Sequence, residues 1–273
     1  MTFTEFKKRC LVRGRGFIDH EFLLFFGCIL FPLWTIYWCL THFDWQSLLG
    51  LYAVVALGGL HISLFVHRAW SHRSWKPNRL LNLYGLFMHT IGCFATSIAW
   101  AMTHRKHHHL EDTPKDPHSP YFMPRWKVLF YPRINEVTEQ QYGKDLVKDP
   151  DHLFFYRYYY HINIALWIAM CVIDPSLSLL SFWIAVLGGY GFKQRLSNSI
   201  GHADPVGKST CNRPIWAYIY LDGEPWHDNH SKNPGNWRIG HHWWQIDVGN
   251  YCIWTFEKLG WGTITQQKFK RSF

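Results

Sequence analysis

Residues 48–73 read LLGLYAVVALGGLHISLFVHRAWSHR, and this stretch decides the fold. Leu48–Val66 holds no Lys or Arg and is close to the roughly 20 apolar residues that cross a hydrocarbon core. It ends abruptly in His67-Arg-Ala-Trp-Ser-His72-Arg73, which sets two imidazoles and two guanidiniums at the edge of the apolar run. The pattern predicts a membrane helix that delivers histidines to one membrane surface.

Working outward, Phe22–Leu40 is a second run free of Lys and Arg, and Thr41–Ser47 joins the two as a hairpin. Another hairpin reads from His161 to about Gly191 and turns at Asp174-Pro175, where proline stops one helix and favours the start of the next. Neither hairpin tip carries Lys or Arg. All 28 basic residues fall in the N-terminal tail, in 67–160 or after 192. The positive-inside rule puts those three regions in the cytoplasm. The expected architecture is one all-α integral membrane domain over 1–273, with four transmembrane helices in two hairpins. The spans are about 22–40, 48–66, 161–173 and 177–192. A cytoplasmic helical cap comes from 67–160 and 193–273, and both termini lie on its side. Leu80–Met102 reads as a helix on or dipping into the membrane surface, because a fifth span would part the histidine motifs that flank it.

Composition agrees. Aromatics make up 18% of the 273 residues, including 16 Trp, and such amphipathic rings favour membrane interfaces. The mean hydropathy of −0.15 averages apolar runs with basic segments. A net charge of +9 suits an anionic membrane surface or an acidic headgroup, and the predicted spans argue against nucleic acid as the partner. The 7 cysteines (Cys10, Cys28, Cys39, Cys93, Cys171, Cys211, Cys252) form no C-x-x-C pair, which disfavours a disulfide framework or zinc ribbon. The first apolar run is too long for a cleavable signal and lacks a small-residue cleavage site.

Three further histidine groups follow the first: His104-Arg-Lys-His107-His108-His109, Asn198-Ser-Ile-Gly-His202, and Gly-Glu224-Pro-Trp-His227-Asp-Asn-His230. Positions 104, 107 and 108 share one helical face, as do 227 and 230. Any single histidine is more often a surface residue or a satisfied core donor. All four groups, however, fall on the same predicted side at membrane edges, where buried polar groups are expensive. Neutral imidazoles gathered there bind Fe, Zn, Cu or Ni.

The series H-R-x-x-S-H-R, H-R-x-H-H with D-x-x-x-D-P-H, N-x-x-x-H and G-E-x-x-H-x-x-H resembles the membrane fatty-acid desaturase family, in particular its stearoyl-CoA-desaturase-like branch. The likeness runs from about His67 to Asp247 and takes in Trp243-Trp244-x-x-Asp247. It implies a di-iron centre whose ligands are His67, His72, His104, His107, His108, His202, His227 and His230, with Asn198 holding a metal-bound water. It further implies O2-dependent desaturation of a fatty acyl chain linked to CoA, a carrier protein or a lipid. No H-P-G-G haem motif and no G-x-G-x-x-G fingerprint occurs, so electrons must come from an external donor of ferredoxin or cytochrome b5 type. A related hydroxylase or acetylenase, or a non-redox metal-binding membrane protein, are the competing readings.

One departure stands out. The family's last box ends H-x-x-H-H, and here Ser231 takes the final position. Either water fills the gap, or His109, His241 or His242 swings in, or one iron is weakened and the chemistry altered. His118 reads as loop structure or support for a ligand. Asp112, Asp116, Glu224 and Asp228 are candidates to accept the outer N–H of ligand imidazoles, with surface acids as the plainer reading. Arg68, Arg73 and Arg105 read as ion pairs of the cap ahead of contacts to lipid phosphates. Phe154–Tyr160 reads as an interfacial aromatic belt, with Lys144, Lys148 and Arg157 nearby for an acyl carrier's phosphates.

Overall fold

A computed structural model of the chain describes residues 26–93, 95–130, 140–202 and 210–265. The basic N-terminal tail, Cys10 and the start of the first predicted span lie outside them. The described chain is mostly helical. Helix α1 (Phe31–Thr41) follows a π-helical turn at Phe26–Leu30. Helix α2 (Trp45–His61) continues without a break into a π-helical segment, Ile62–Ser71. Asp44 sets the start of α2 by accepting the backbone N–H of Ser47 at 2.8 Å.

The run Leu80–Met102 is not one helix. It splits into α3 (Arg79–Ile91) and α4 (Ser97–Leu110). The break is local: Cys93 and Ala95 take positive φ, and Thr96 caps α4 through the N–H of Ala99. A short α5 spans Arg125–Phe130. Helix α6 (Pro150–Ile173) starts well before the predicted 161, because Asp149 caps it and Pro150 opens its first turn. The Phe154–Tyr160 aromatics are therefore its early turns. After a turn at Asp174–Leu177 comes α7 (Ser178–Gly201). The remaining elements are α8 (Pro214–Tyr220), α9 (His227–Lys232) and α10 (Val248–Lys258). The only sheet among the described residues pairs β1 (Trp75–Pro77) with β2 (Gly262–Ile264), antiparallel.

Short turns join α1 to α2 and α6 to α7. Helix α7 packs on α1, α2 and α6. Gly188 allows its close approach to α1, since a Cβ there would lie 2.1 Å from the carbonyl oxygen of Phe31. Among the described residues one helix, Trp45–Ser71, is both long and apolar enough to cross a membrane. The hairpins turn apolar side chains outward, including Leu33, Ile36, Leu40, Leu49, Leu57, Ile168 and Val172.

The main core gathers Ile62, Phe65, Val66, Trp70, Trp75, Leu86, Ile98, Trp100 and Ile253 around the π-helical segment. Ion pairs, that of Arg68 fully buried, lock this core to the rest of the polar half. Arg68 reaches Asp247 at 2.7 Å and the carbonyls of Asp222 and Trp237. Arg105 holds Asp145 through both guanidinium arms at 2.7 and 2.9 Å, and Arg73 joins Asp145 at 3.0 Å. All three arginines thus act within the protein. The six described cysteines are free thiols.

Candidate metal centre

The first histidine pair owes its geometry to the π-helical segment. His67 and His72 are five residues apart, a spacing that an α-helix turns to different faces. Here the N–H of His72 bonds the carbonyl of His67 at 3.0 Å, an i→i+5 bond, and the rings come to 4.9 Å between centroids. Helix α4 brings His104, His107 and His108. His202 directly follows the last residue of α7, and Asn198 sits half-buried one turn earlier. The short α9 brings His227 and His230. Gly201 lets α7 end against α9: a Cβ there would lie 2.8 Å from Cγ of His227.

These histidines form two adjoining clusters. The first joins His67, His72, His104, His108 and His230, with one nitrogen of each within 4.8 Å of the others. Its Nε2 atoms face inward in a chain of close approaches: His67 to His230 at 2.9 Å, His230 to His108 at 2.9 Å, His108 to His104 at 3.1 Å, His104 to His72 at 2.8 Å. The second joins His107, His202 and His227 with Glu111, again with ligand atoms within 4.8 Å of one another. There the Nε2 atoms of His202 and His227 are 2.8 Å apart.

Carboxylates orient the rings from behind. Glu224 accepts Nδ1 of His67 at 2.7 Å, Asp116 accepts Nδ1 of His107 at 2.9 and 3.0 Å, and Asp112 accepts Nδ1 of His202 at 3.1 Å. An imidazole that donates from Nδ1 presents only a lone pair at Nε2. Asp228 takes no such part, bonding Thr210 and Lys232 instead. Burial, and then the neighbouring imidazoles, push His72, His104, His108, His227 and His230 well below the usual 6.5, so they are neutral. His107 goes the other way: burial opposes the charge, but Asp116 beside it, with Glu111 and Asp112 behind, outweighs burial. Burial raises the carboxyls of Asp116 and Glu224, yet His107 and His67 respectively hold them below their ordinary values.

Nε2 atoms 2.8–3.1 Å apart either share a proton, as N–H···N pairs, or turn their lone pairs to a common cation. Nε2 of His107 is buried and has no hydrogen-bond partner among the described residues, although its other nitrogen is firmly held. A donor set of buried imidazoles braced by carboxylates suits a first-row transition metal such as iron or zinc. The residues therefore fit two metal ions side by side.

The eight histidines expected as ligands each fall in one cluster or the other. The substitutes considered for position 231 do not. His109 turns to the hydroxyl of Tyr142 at 2.6 Å, and His242 stacks on Trp244 while it and His241 are exposed. His118 is buried with its ring 4.2 Å from that of His107, as a supporting residue would be. Sequence reasoning missed Glu111. Its signal was available: Glu111 stands four residues after His107 and three after His108, at the end of the same helix.

Known proteins resemble the chain over most of its length. The sn-1 stearoyl-lipid 9-desaturase of Anabaena variabilis is 29% identical, covering 82% of this chain and 85% of that protein. The acyl-CoA C20 Delta5-desaturase of Anemone leveillei is 28% identical over 94% of this chain and 85% of its own. The hex-5-enoyl acyl-carrier-protein acetylenase of Moorena producens (strain JHB) is 27% identical over 78% and 74%. No protein-family profile matches the chain.

Proposed function

The chain is a homologue of the fatty-acid desaturases and by that kinship an oxidoreductase, and from this premise we propose that it introduces a double bond into a fatty acyl chain at a pair of histidine-held irons. The observation that carries the reading is the convergence of eight histidines from four separate segments into two adjoining clusters of inward-facing Nε2 atoms. His67, His72, His104, His108 and His230 would hold one iron. His107, His202 and His227 would contribute to the other, with Asn198 holding water beside it.

Iron held there would supply the oxidising power, drawn from O2, that no side chain possesses. Overall, an acyl CH2–CH2 pair loses two hydrogens, O2 is reduced to two waters, and two electrons and two protons come from outside. The chain's own part is positional. Glu224, Asp116 and Asp112 hold the imidazoles by Nδ1 and keep each Nε2 aimed inward. Burial keeps the remaining rings neutral and the site dry, with Trp100 stacked at 4.9 Å on His104 as part of its wall. The electrons come from a separate ferredoxin or cytochrome b5 type of donor, drawn to the basic polar half. The acyl chain, tied to CoA, a carrier protein or a lipid, reaches the site from the membrane. The outward apolar faces of both hairpins support four spans, with the histidines and both chain ends on the cytoplasmic side.

Expression in a host with few unsaturated lipids, followed by gas chromatography–mass spectrometry of its fatty acids, tests this reading. A new monounsaturated acyl chain, absent from a His104→Ala control, is expected. The acetylenase among the relatives favours a second reading, a triple bond made from an existing double bond, and the same product analysis distinguishes it. An unchanged lipid profile in iron-loaded cells supplied with both donor types would overturn both.

A further inference from the structure

We infer that Glu111 is a metal ligand of the second cluster, standing in for the imidazole that Ser231 lacks. This rests on the two-metal reading above and names the donor set of its second ion as three imidazoles and one carboxylate.

Without a replacement the two clusters would be unequal: five imidazoles in one, three in the other. Ser231 directly follows His230 on α9, and its side chain is too short to reach where an imidazole from that position would lie. Its hydroxyl instead donates to Oε1 of Glu111 at 2.9 Å. The carboxylate therefore sits between position 231 and the cluster, and one of its oxygens falls within 4.8 Å of the facing nitrogens of His107, His202 and His227. A second observation points to a ligand at the same place: Nε2 of His107 is buried and unpartnered, one helical turn before Glu111.

Local structure explains how Glu111 gets there. Helix α4 ends at Leu110, and Glu111 leaves it with φ −45 and ψ 125. Asp112 then takes a left-handed φ of 52. Its carboxylate is thereby committed to His202 and to the hydroxyl of Ser119, which leaves Glu111 as the acid facing inward. A carboxylate has about four lone-pair sites, so accepting one hydrogen bond from Ser231 still leaves room for a metal. That bond does for Glu111 what Asp116 does for His107: it fixes the direction of the donor atom. The residue pair Glu111 and Ser231 thus replaces one imidazole by an oriented carboxylate. It also makes the two sites chemically distinct, one all-imidazole and one bearing a carboxylate.

The test counts iron per chain by mass spectrometry in purified full-length protein and records Mössbauer spectra of 57Fe-loaded samples. The parent should hold two irons with two resolved environments in equal amounts. Glu111→Ala should hold one, with the signal of the five-histidine site unchanged. Glu111→Ala/Ser231→His should return to two, with the second environment shifted toward the first. Ser231→Ala should keep two irons but release one to a chelator about 10–100-fold more readily. Glu111→Gln, which keeps size and removes charge, guards against misfolding: it should lose the second environment while its melting stays cooperative. Two irons with an unaltered second environment in both Glu111→Ala and Glu111→Gln would overturn this assignment and leave the two-metal reading intact. One iron in the parent, unaffected by either Glu111 variant, would also overturn it. A parent that binds no iron would overturn both.

Discussion

Replacing Asp116 by Asn changes one atom in the support of His107 and should be felt at the second cluster before anywhere else. Asp116 is fully buried and offers both oxygens to Nδ1 of His107, at 2.9 and 3.0 Å. It also accepts the backbone N–H groups of Asp112 and His118, each at 2.9 Å. An asparagine keeps its carbonyl oxygen on one backbone N–H and on Nδ1 of His107, but its NH2 then opposes the other backbone N–H, donor against donor. That clash and the lost charge loosen the grip that aims Nε2 of His107 into the cluster. Loss of such an orienting partner weakens metal binding about 10–100-fold, or roughly 1.4–2.7 kcal/mol. Competition against a coloured chelator should strip one metal at a chelator level that leaves the parent loaded, while the five-histidine site stays occupied. The metal-free variant should also unfold more easily, by about 1–3 kcal/mol, because charged hydrogen bonds become neutral ones. Chelator curves that superimpose on the parent, beside a real loss of metal-free stability, would refute the reasoning and make Asp116 a purely structural acid.

Three other substitutions separate the site from its scaffold. Gly201→Ala drives a methyl to within 2.8 Å of the His227 ring and should cost about 1–3 kcal/mol, with metal lost from the second cluster first on dilution. Arg68→Ala leaves the buried carboxylate of Asp247 without its partner, and thermal unfolding in detergent should show about 3–5 kcal/mol of destabilisation. His109→Ala removes the bond to Tyr142; metal per chain should not change, and stability should fall by about 1.5 kcal/mol or less. A drop in metal content in that last variant would mean that His109 is a ligand after all.

Much of this protein was legible from local pattern. The apolar runs and the charge-free hairpin tips locate the long helices, because hydrophobic patterning acts over a few residues, whereas the cap at Asp149 that starts α6 early was missed. The eight histidines were picked out by their motifs and the family those motifs resemble, and three of the four suspected acids do bond imidazoles. Asp228 does not, and nothing in its neighbourhood distinguishes it: whether an acid faces a ring or solvent depends on what another segment brings opposite.

The sequence by itself, through its motifs and the family they resemble, singled out eight imidazoles as expected ligands; tertiary structure decided how they divide. His107 and His108 are adjacent, but neighbours on a helix point about 100° apart, so they enter different clusters. His104 and His108, one turn apart, enter the same one. His67 and His72 align only because Ile62–Ser71 winds with i→i+5 bonds, and no residue pattern announces that winding. Glu111 stands out only once α9 places Ser231 against it. A motif gives the donor atoms, but the set a metal sees is fixed by segments far apart in the chain, and only packing brings them within reach.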